Sequence, residues 1–168
     1  MARKLISIGT WAYTIGRYAA NPVPFETVVQ KLAELGFDGL DLGGFPPHPN
    51  PDDCPTPESR KKVRELVEDA GLGFSGLAAN LWMHKLVSAE SNAPLLAEFD
   101  KNVKFCRDLG INTIRVDTLD PPDVFKTVDY NLGRERVVST FKEMARRADD
   151  NGLDVCWEFE PGFAFNKP

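Results

Sequence analysis

A four-residue phrase recurs four times along this chain: an acidic residue, a second residue, glycine and an apolar residue. The copies are ELGF at residues 34–37, DAGL at 69–72, DLGI at 108–111 and DNGL at 150–153. Each copy follows a stretch with helical periodicity, and a glycine just past the last turn can adopt the left-handed conformation that ends a helix. A short apolar run follows each glycine. A helix, a glycine stop and a buried strand, repeated roughly every 40 residues, predict a parallel α/β sheet.

The predicted elements are five strands and four helices. The strands cover residues 5–10, 37–42, 73–79, 113–117 and 154–159. The first three helices begin near Pro24, Pro57 and Pro94, because proline suits the first helical position, and the fourth contains Val137 and Phe141. Two long connections, residues 43–57 and 119–134, follow the carboxyl ends of strands, where parallel α/β folds place their ligands.

Alternation within the strands indicates the shape of the sheet. In the fourth strand Ile114 and Val116 face one side, while Arg115 and Asp117 face the other. A sheet covered by helices on both faces is apolar on both, whereas a closed barrel carries polar groups at its inner mouth. We therefore expect a barrel; a doubly wound sheet with charges only at its strand tips is the alternative.

The length of 168 residues is short for such a barrel, which typically needs about 250. We therefore interpret residues 1–168 as a single domain, the N-terminal part of a (β/α)8 barrel of the TIM type. It would comprise the first five strands and four helices, with the rest of the barrel on a longer protein.

Charge and composition favour some partners over others. The net charge of −5 and the lack of a basic run argue against nucleic acid as a partner. No segment approaches membrane-spanning length, so we expect no membrane partner. Three widely spaced cysteines form no CxxC pair, which favours a reducing, cytoplasmic location.

Glu158 and Glu160 are the strongest candidates for chemistry. They lie on one side of the last strand near its carboxyl end, where two like charges repel unless something compensates them. A divalent cation is the usual solution, and oxygen ligands suit Mg²⁺, Mn²⁺ or Zn²⁺. The alternative is that Glu158 pairs with Arg115 while Glu160 is solvated.

Further polar and aromatic residues follow the strands and could reach a polar substrate at the same mouth. Aromatic rings commonly contact the C–H faces of sugars, although loop-anchoring aromatics and surface histidines are equally compatible with the pattern. The candidate substrate-binding residues are Trp11, Tyr13, His48, Asn80, His84, Arg115 and Asp117, with Trp82 as a further aromatic wall.

Four segments together resemble a known family. They are IGTW at residues 8–11, GFDGLDL at 36–42, GINTIRV at 110–116 and WEFEP at 157–161. These segments resemble the xylose-isomerase-like TIM barrels, the sugar phosphate isomerase/epimerase superfamily. The likeness covers the first five-eighths of that family's barrel. Its more specific parts are the segment at the second strand, GFDGLDL, and the Glu at the fifth strand.

The resemblance implies a divalent metal held by a Glu at the end of the fifth strand, with further ligands from later strands. Glu158 matches that position, and as the family's metal ligand it is also the candidate catalytic residue; the strand that ends at Asp41 often ends in Glu in the family. The implied reaction moves a proton between adjacent carbons of a small sugar, keto-sugar or polyol. Because the later ligands are not in this sequence, we expect weak metal binding and little turnover from these residues alone.

Three other functions stay open. A dehydratase of a cyclic polyol uses similar parts, and an apurinic-site endonuclease shares the fold but needs several metals and a basic groove. A non-catalytic half-barrel that acts as a binding or assembly module predicts a homo-oligomer formed through open strand edges.

Overall fold

The computed structural model describes residues 3–167, which form five strands and four α-helices. The strands are β1 (Ser7–Gly9), β2 (Gly39–Gly44), β3 (Gly73–Ala79), β4 (Thr113–Val116) and β5 (Asp154–Trp157). The helices are α1 (Phe25–Glu34), α2 (Pro57–Asp69), α3 (Ala93–Leu109) and α4 (Tyr130–Asp149). Among the helices of residues 3–167, none combines the length and the apolar character that crossing a bilayer requires.

The five strands form one parallel sheet in the order β1-β2-β3-β4-β5. Each strand therefore pairs with the next strand along the chain. A doubly wound sheet reverses its strand order at a switch point, which this sheet does not do. The order confirms the TIM-barrel type predicted from the alternation and excludes the doubly wound alternative.

The repeated glycines end their helices as predicted. Gly36, Gly71, Gly110 and Gly152 all have φ between 73° and 76°, the left-handed region. After each glycine the next amide donates to a carbonyl five residues back, as Phe37 does to Leu32 at 3.1 Å. This is the bond that closes a helix with a left-handed cap. Each repeat therefore stops a helix and turns the chain towards the next strand.

Some strand limits differ from the prediction. β2 begins at Gly39 rather than residue 37 and continues through Gly43 and Gly44, which we expected to begin the long connection over residues 43–57. These two residues instead pair with Ala78 and Ala79 of β3. Without side chains they leave room for neighbouring rings, since a Cβ at Gly43 would lie 3.2 Å from the Phe45 ring.

The two outer strands are shorter than predicted. β1 covers only residues 7–9, because the chain turns into a 3-10 helix from Thr10. β5 ends at Trp157 rather than residue 159, although the Glu158 amide still donates to the Val116 carbonyl at 3.0 Å.

The two faces of the sheet differ as the alternation predicted. Leu42, Leu77, Ile114 and Val116 are at most 1% exposed and belong to the core under the helices. Arg115, from the opposite face of β4, is only half-buried and borders a pocket. The core therefore lies between the sheet and the helices, and the other face is left for polar side chains.

Gly39 is expected to tolerate no larger residue, because an added Cβ would lie 2.5 Å from the carbonyl oxygen of Gly73. Gly39→Ala should lower the free energy of unfolding by about 1–3 kcal/mol, measured by urea denaturation. Gly73→Ala is the matched control across the same strand pair, since its nearest neighbour would be 3.9 Å away. Equal stability of the two variants would contradict this account of the close strand contact.

Candidate functional site

Three carboxyl groups meet at the carboxyl ends of β4 and β5. Asp117 directly follows β4, and Glu158 and Glu160 follow β5. Because the two strands are parallel neighbours, their ends lie side by side. One carboxylate oxygen from each residue lies within 4.8 Å of the other two. We refer to these three residues as the acidic cluster.

Arg115 is the cation beside this cluster. Its side chain comes from the inner face of β4, and its Nη1 donates to Oε2 of Glu158. Its guanidinium lies 5.6 Å from the centre of the Trp11 ring, and its Nε is buried without a hydrogen-bond partner. The pairing of Arg115 with Glu158, the alternative left open by the sequence, is therefore present, and Glu160 is exposed.

Burial changes the acidity of two neighbouring carboxyl groups. Burial raises the pKa of Asp117 to about 6; the charge of Arg115 opposes this rise, and the charges of Glu158 and Glu160 add to it. Oδ1 of Asp117 is buried and has no hydrogen-bond partner. The pKa of Asp41, at the inner face of β2, is also raised, chiefly by burial. The site thus holds more negative charge than its single guanidinium balances.

Aromatic rings border the acidic cluster and enclose a pocket of about 120 Å³. Trp11 follows β1, Phe45 follows β2 and Trp82 lies in the loop after β3. The rings of Phe45 and Trp82 are 5.1 Å apart between centroids. Trp82 is 50% exposed, so its ring forms an outer wall. The pocket therefore combines apolar walls with one strongly charged side.

The structure brings five of the sequence-predicted site residues together around this pocket: Trp11, Arg115, Asp117, Glu158 and Glu160. All five come from strand ends or the residues just beyond them. Parallel α/β barrels place their active-site residues at the carboxyl ends of the strands in this way.

The structure does not bring the other four into the pocket. His48 is 1% exposed, packs edge-on against Phe25 and donates from Nε2 to the Val23 carbonyl at 2.9 Å. Burial also lowers its pKa. Tyr13 lies 6.0 Å from Tyr18, ring to ring, and packs against the core.

Asn80 and His84 follow β3 but do not line the pocket. Asn80 comes directly after the last strand residue, and His84 donates its amide to the Leu81 carbonyl at 2.9 Å. A role of these two residues in substrate binding stays a prediction.

Sequence reasoning missed Phe45 and Ile15 as pocket residues. Phe45 directly follows β2, so its place after a strand end was the available signal. The predicted strand ended at residue 42, before Gly43 and Gly44, so Phe45 did not stand at its end. Ile15 lies in an irregular segment that no strand or helix pattern marks.

The acidic cluster fits a divalent cation. Carboxylate oxygens are the donors that Mg²⁺ and Mn²⁺ prefer, and metal–oxygen distances of about 2.0–2.1 Å for Mg²⁺ place opposite ligands about 4 Å apart, a separation within the 4.8 Å limit of the cluster. The unpartnered Oδ1 of Asp117 supplies a free acceptor. The three carboxylates carry more negative charge than Arg115 neutralises, and this excess would balance the charge of a bound cation.

Solved structures share this fold. A D-psicose 3-epimerase from Clostridium cellulolyticum H10 is 21% identical with a TM-score of 0.67, covering 90% of this chain and 51% of that chain. A probable 3-DHS dehydratase from Bacillus anthracis is 16% identical with a TM-score of 0.66, covering 95% and 53%. A sugar phosphate isomerase/epimerase from Parabacteroides distasonis is 15% identical with a TM-score of 0.61, covering 94% and 52%.

This chain therefore spans about half the length of the solved structures it matches. Identities this low establish the fold and leave the activity open. Among curated protein sequences, none matches. A family model does match, over residues 29–167, and it describes the xylose isomerase-like TIM barrel. The five-stranded parallel sheet agrees with that match, and the chain belongs to the xylose isomerase-like TIM barrel family.

Proposed function

We propose that this chain supplies the first part of a divalent-cation-dependent isomerase or epimerase that acts on a small sugar, keto-sugar or polyol. The observation that carries the proposal is the acidic cluster beside three aromatic rings at the carboxyl ends of the strands. Two of the matched structures, a D-psicose 3-epimerase and a sugar phosphate isomerase/epimerase, support the same reaction class.

Asp117, Glu158 and Glu160 would hold the cation. When bound, such a cation polarises a carbonyl or hydroxyl oxygen and stabilises negative charge that develops as a C–H proton leaves. Trp11, Phe45 and Trp82 bind the apolar side of the substrate and keep water away from it. The Arg115 guanidinium lines the pocket, where its N–H groups can donate to a substrate oxygen.

The charge of the site favours this substrate class over nucleic acid. Four carboxyl groups, those of Asp41, Asp117, Glu158 and Glu160, surround one guanidinium. Such a site repels a phosphate backbone unless several cations cover it. A neutral polyhydroxy compound has no such penalty, because its hydroxyl groups donate to carboxylates.

The proton-transfer chemistry can be tested directly on the proposed enzyme. The enzyme, Mn²⁺ and a keto-sugar are incubated in D2O, and proton NMR follows the carbon next to the carbonyl. We expect deuterium at that carbon and its loss when the cation is chelated. Product formed without deuterium at any carbon would argue against proton exchange with solvent.

Cation binding by this chain should depend on the protonation of Asp117. Because the pKa of this carboxyl is raised to about 6, it carries a proton below that pH and cannot serve as a ligand. We expect Mn²⁺ affinity, measured by electron paramagnetic resonance, to rise by up to about tenfold per pH unit towards pH 6 and then to level off.

Asp117→Asn tests the source of this pH dependence. The variant should bind Mn²⁺ more weakly than the parent at pH 8 and should lose most of the rise between pH 5 and 7. Asp69→Asn, at the exposed end of α2, is the control and should keep the parent's profile. An unchanged profile in Asp117→Asn would exclude Asp117 as the titrating ligand.

A further inference from the structure

The chain makes a strained turn immediately after Asp117. Leu119 has φ of +67°, the only positive φ among the non-glycine residues that the structure describes. The Asp120 amide donates to the Thr118 carbonyl at 2.8 Å, so residues 118–120 form a γ-turn with a left-handed centre. This turn type is rare and strained, and such strain concentrates at functional sites.

The turn ends the inner face of β4 at Asp117. If the strand continued, alternation would place residue 119 on the same side as Arg115 and Asp117. Instead Leu119 is 7% exposed and belongs to the hydrophobic core. The turn therefore places the Leu119 side chain in the core and not among the residues that line the pocket with Asp117.

Asp120 holds this turn through a fully bonded buried carboxylate. The residue is 1% exposed. Its Oδ2 accepts from the amides of Leu86 and Val87, each at 2.8 Å, and its Oδ1 accepts from the Ser88 hydroxyl at 2.6 Å. All three donors lie in the loop between β3 and α3, the loop that also carries Trp82.

The same residue also contacts the segment after β5. Its carbonyl accepts from the Ala164 amide at 2.7 Å, four residues beyond Glu160. Asp120 thus joins the three loops that carry Trp82, Asp117 and Glu160. Asp120 does not line the pocket, and its carboxylate bonds to the loop after β3 rather than to the acidic cluster.

We propose that Asp120 is a positioning residue, which sets the relative placement of the acidic cluster and the Trp82 wall by tying the loops after β3, β4 and β5 together. This inference rests on the proposed cation site. A buried carboxylate with three donors has a defined geometry, so its bonds fix the loops more narrowly than apolar packing would. The strained turn persists because the bonds of the Asp120 carboxylate to the loop after β3, and of its carbonyl to Ala164, hold the backbone in place.

Asp120→Ala should lower Mn²⁺ affinity at least about tenfold, the effect typical of residues that orient ligands without touching the metal. Asp120→Asn should stay within about threefold of the parent, because its Oδ1 can accept both amides and its NH2 can donate to Ser88. Asp108→Ala is the control. That carboxylate accepts from Arg60 and Lys104 near the end of α3, on the side of the sheet away from the mouth, so its loss should leave Mn²⁺ affinity unchanged.

Hydrogen exchange gives a readout that does not depend on cation. In Asp120→Ala the amide of Glu158, which donates to Val116 and not to Asp120, should exchange faster than in the parent. The Asp108→Ala variant should leave this amide unchanged.

The outcomes separate the two proposals. A parent that binds Mn²⁺ and an Asp120→Ala variant that binds it equally well would overturn the positioning role alone. A parent that binds no Mn²⁺ would overturn the proposed cation site. In that case unchanged exchange at Glu158 in Asp120→Ala would overturn the positioning role as well, and faster exchange would support it.

Discussion

Replacing Glu158 with glutamine is expected to lower Mn²⁺ affinity by at least about tenfold and, in the proposed enzyme, turnover by roughly 10²–10³-fold or more. The carboxylate is a ligand of the proposed cation and also the partner of Arg115. Glutamine keeps the shape but removes the charge. The variant therefore loses a ligand and leaves Arg115 as a competing cation beside the remaining two carboxylates.

Mn²⁺ titration followed by electron paramagnetic resonance measures the first effect, and steady-state kinetics of the proposed enzyme measures the second. Glu143→Gln is the charge-matched control, because that carboxylate pairs with Arg146 and Arg147 on the surface of α4. It should change neither quantity. If Glu158→Gln kept the Mn²⁺ affinity of the parent, the cation would be bound at another site.

Replacing Arg115 with methionine is expected to act in the opposite direction on cation binding. Without the guanidinium, the cluster loses its only internal cation, and Glu158 is released. We expect Mn²⁺ affinity to rise about tenfold, since two like-charged partners no longer compete for one carboxylate. In the absence of cation, the loss of this partly exposed ion pair should lower the free energy of unfolding by about 1 kcal/mol.

Thermal unfolding with and without Mn²⁺ tests both statements at once. The cation should raise the melting temperature of Arg115→Met more than that of the parent, because it replaces the missing positive charge. Arg147→Met is the matched control: its side chain is 28% exposed against 24% for Arg115, and it also pairs with carboxylates. Weaker Mn²⁺ binding by Arg115→Met would mean that the guanidinium helps to build the site rather than competes for it.

The strand order and the helix ends could be predicted because local rules determine them. A glycine after the last helical turn has few alternatives to the left-handed cap, and the spacing of the repeats matches the combined length of one helix, one strand and their loops. The alternation of Arg115 and Asp117 with Ile114 and Val116 was enough to assign an inner face. The pairing of Gly43 and Gly44 with β3 was not predictable, because it depends on a neighbouring strand that sequence spacing does not position.

The candidate site could be predicted where its residues lie on strands and not where they lie on loops. Arg115, Asp117 and Glu158 follow from period-two alternation and parallel pairing. His48 was expected at the mouth because it follows a predicted strand, but its ring contacts Phe25 and the Val23 carbonyl instead. The bonds of Asp120 join residues more than 30 positions apart, so no local pattern could have indicated them.

The four left-handed glycines all lie where the chain enters a strand, at the opposite end of the sheet from the pocket. Signals for chain reversal and residues for chemistry therefore occupy separate rims. In divergent relatives the loops at the carboxyl ends of the strands can change, and with them the preferred substrate. The glycines at the amino ends of the strands continue to direct folding. A deep mutational scan should accordingly find two groups of intolerant positions, one lost through misfolding and the other lost in well-folded protein.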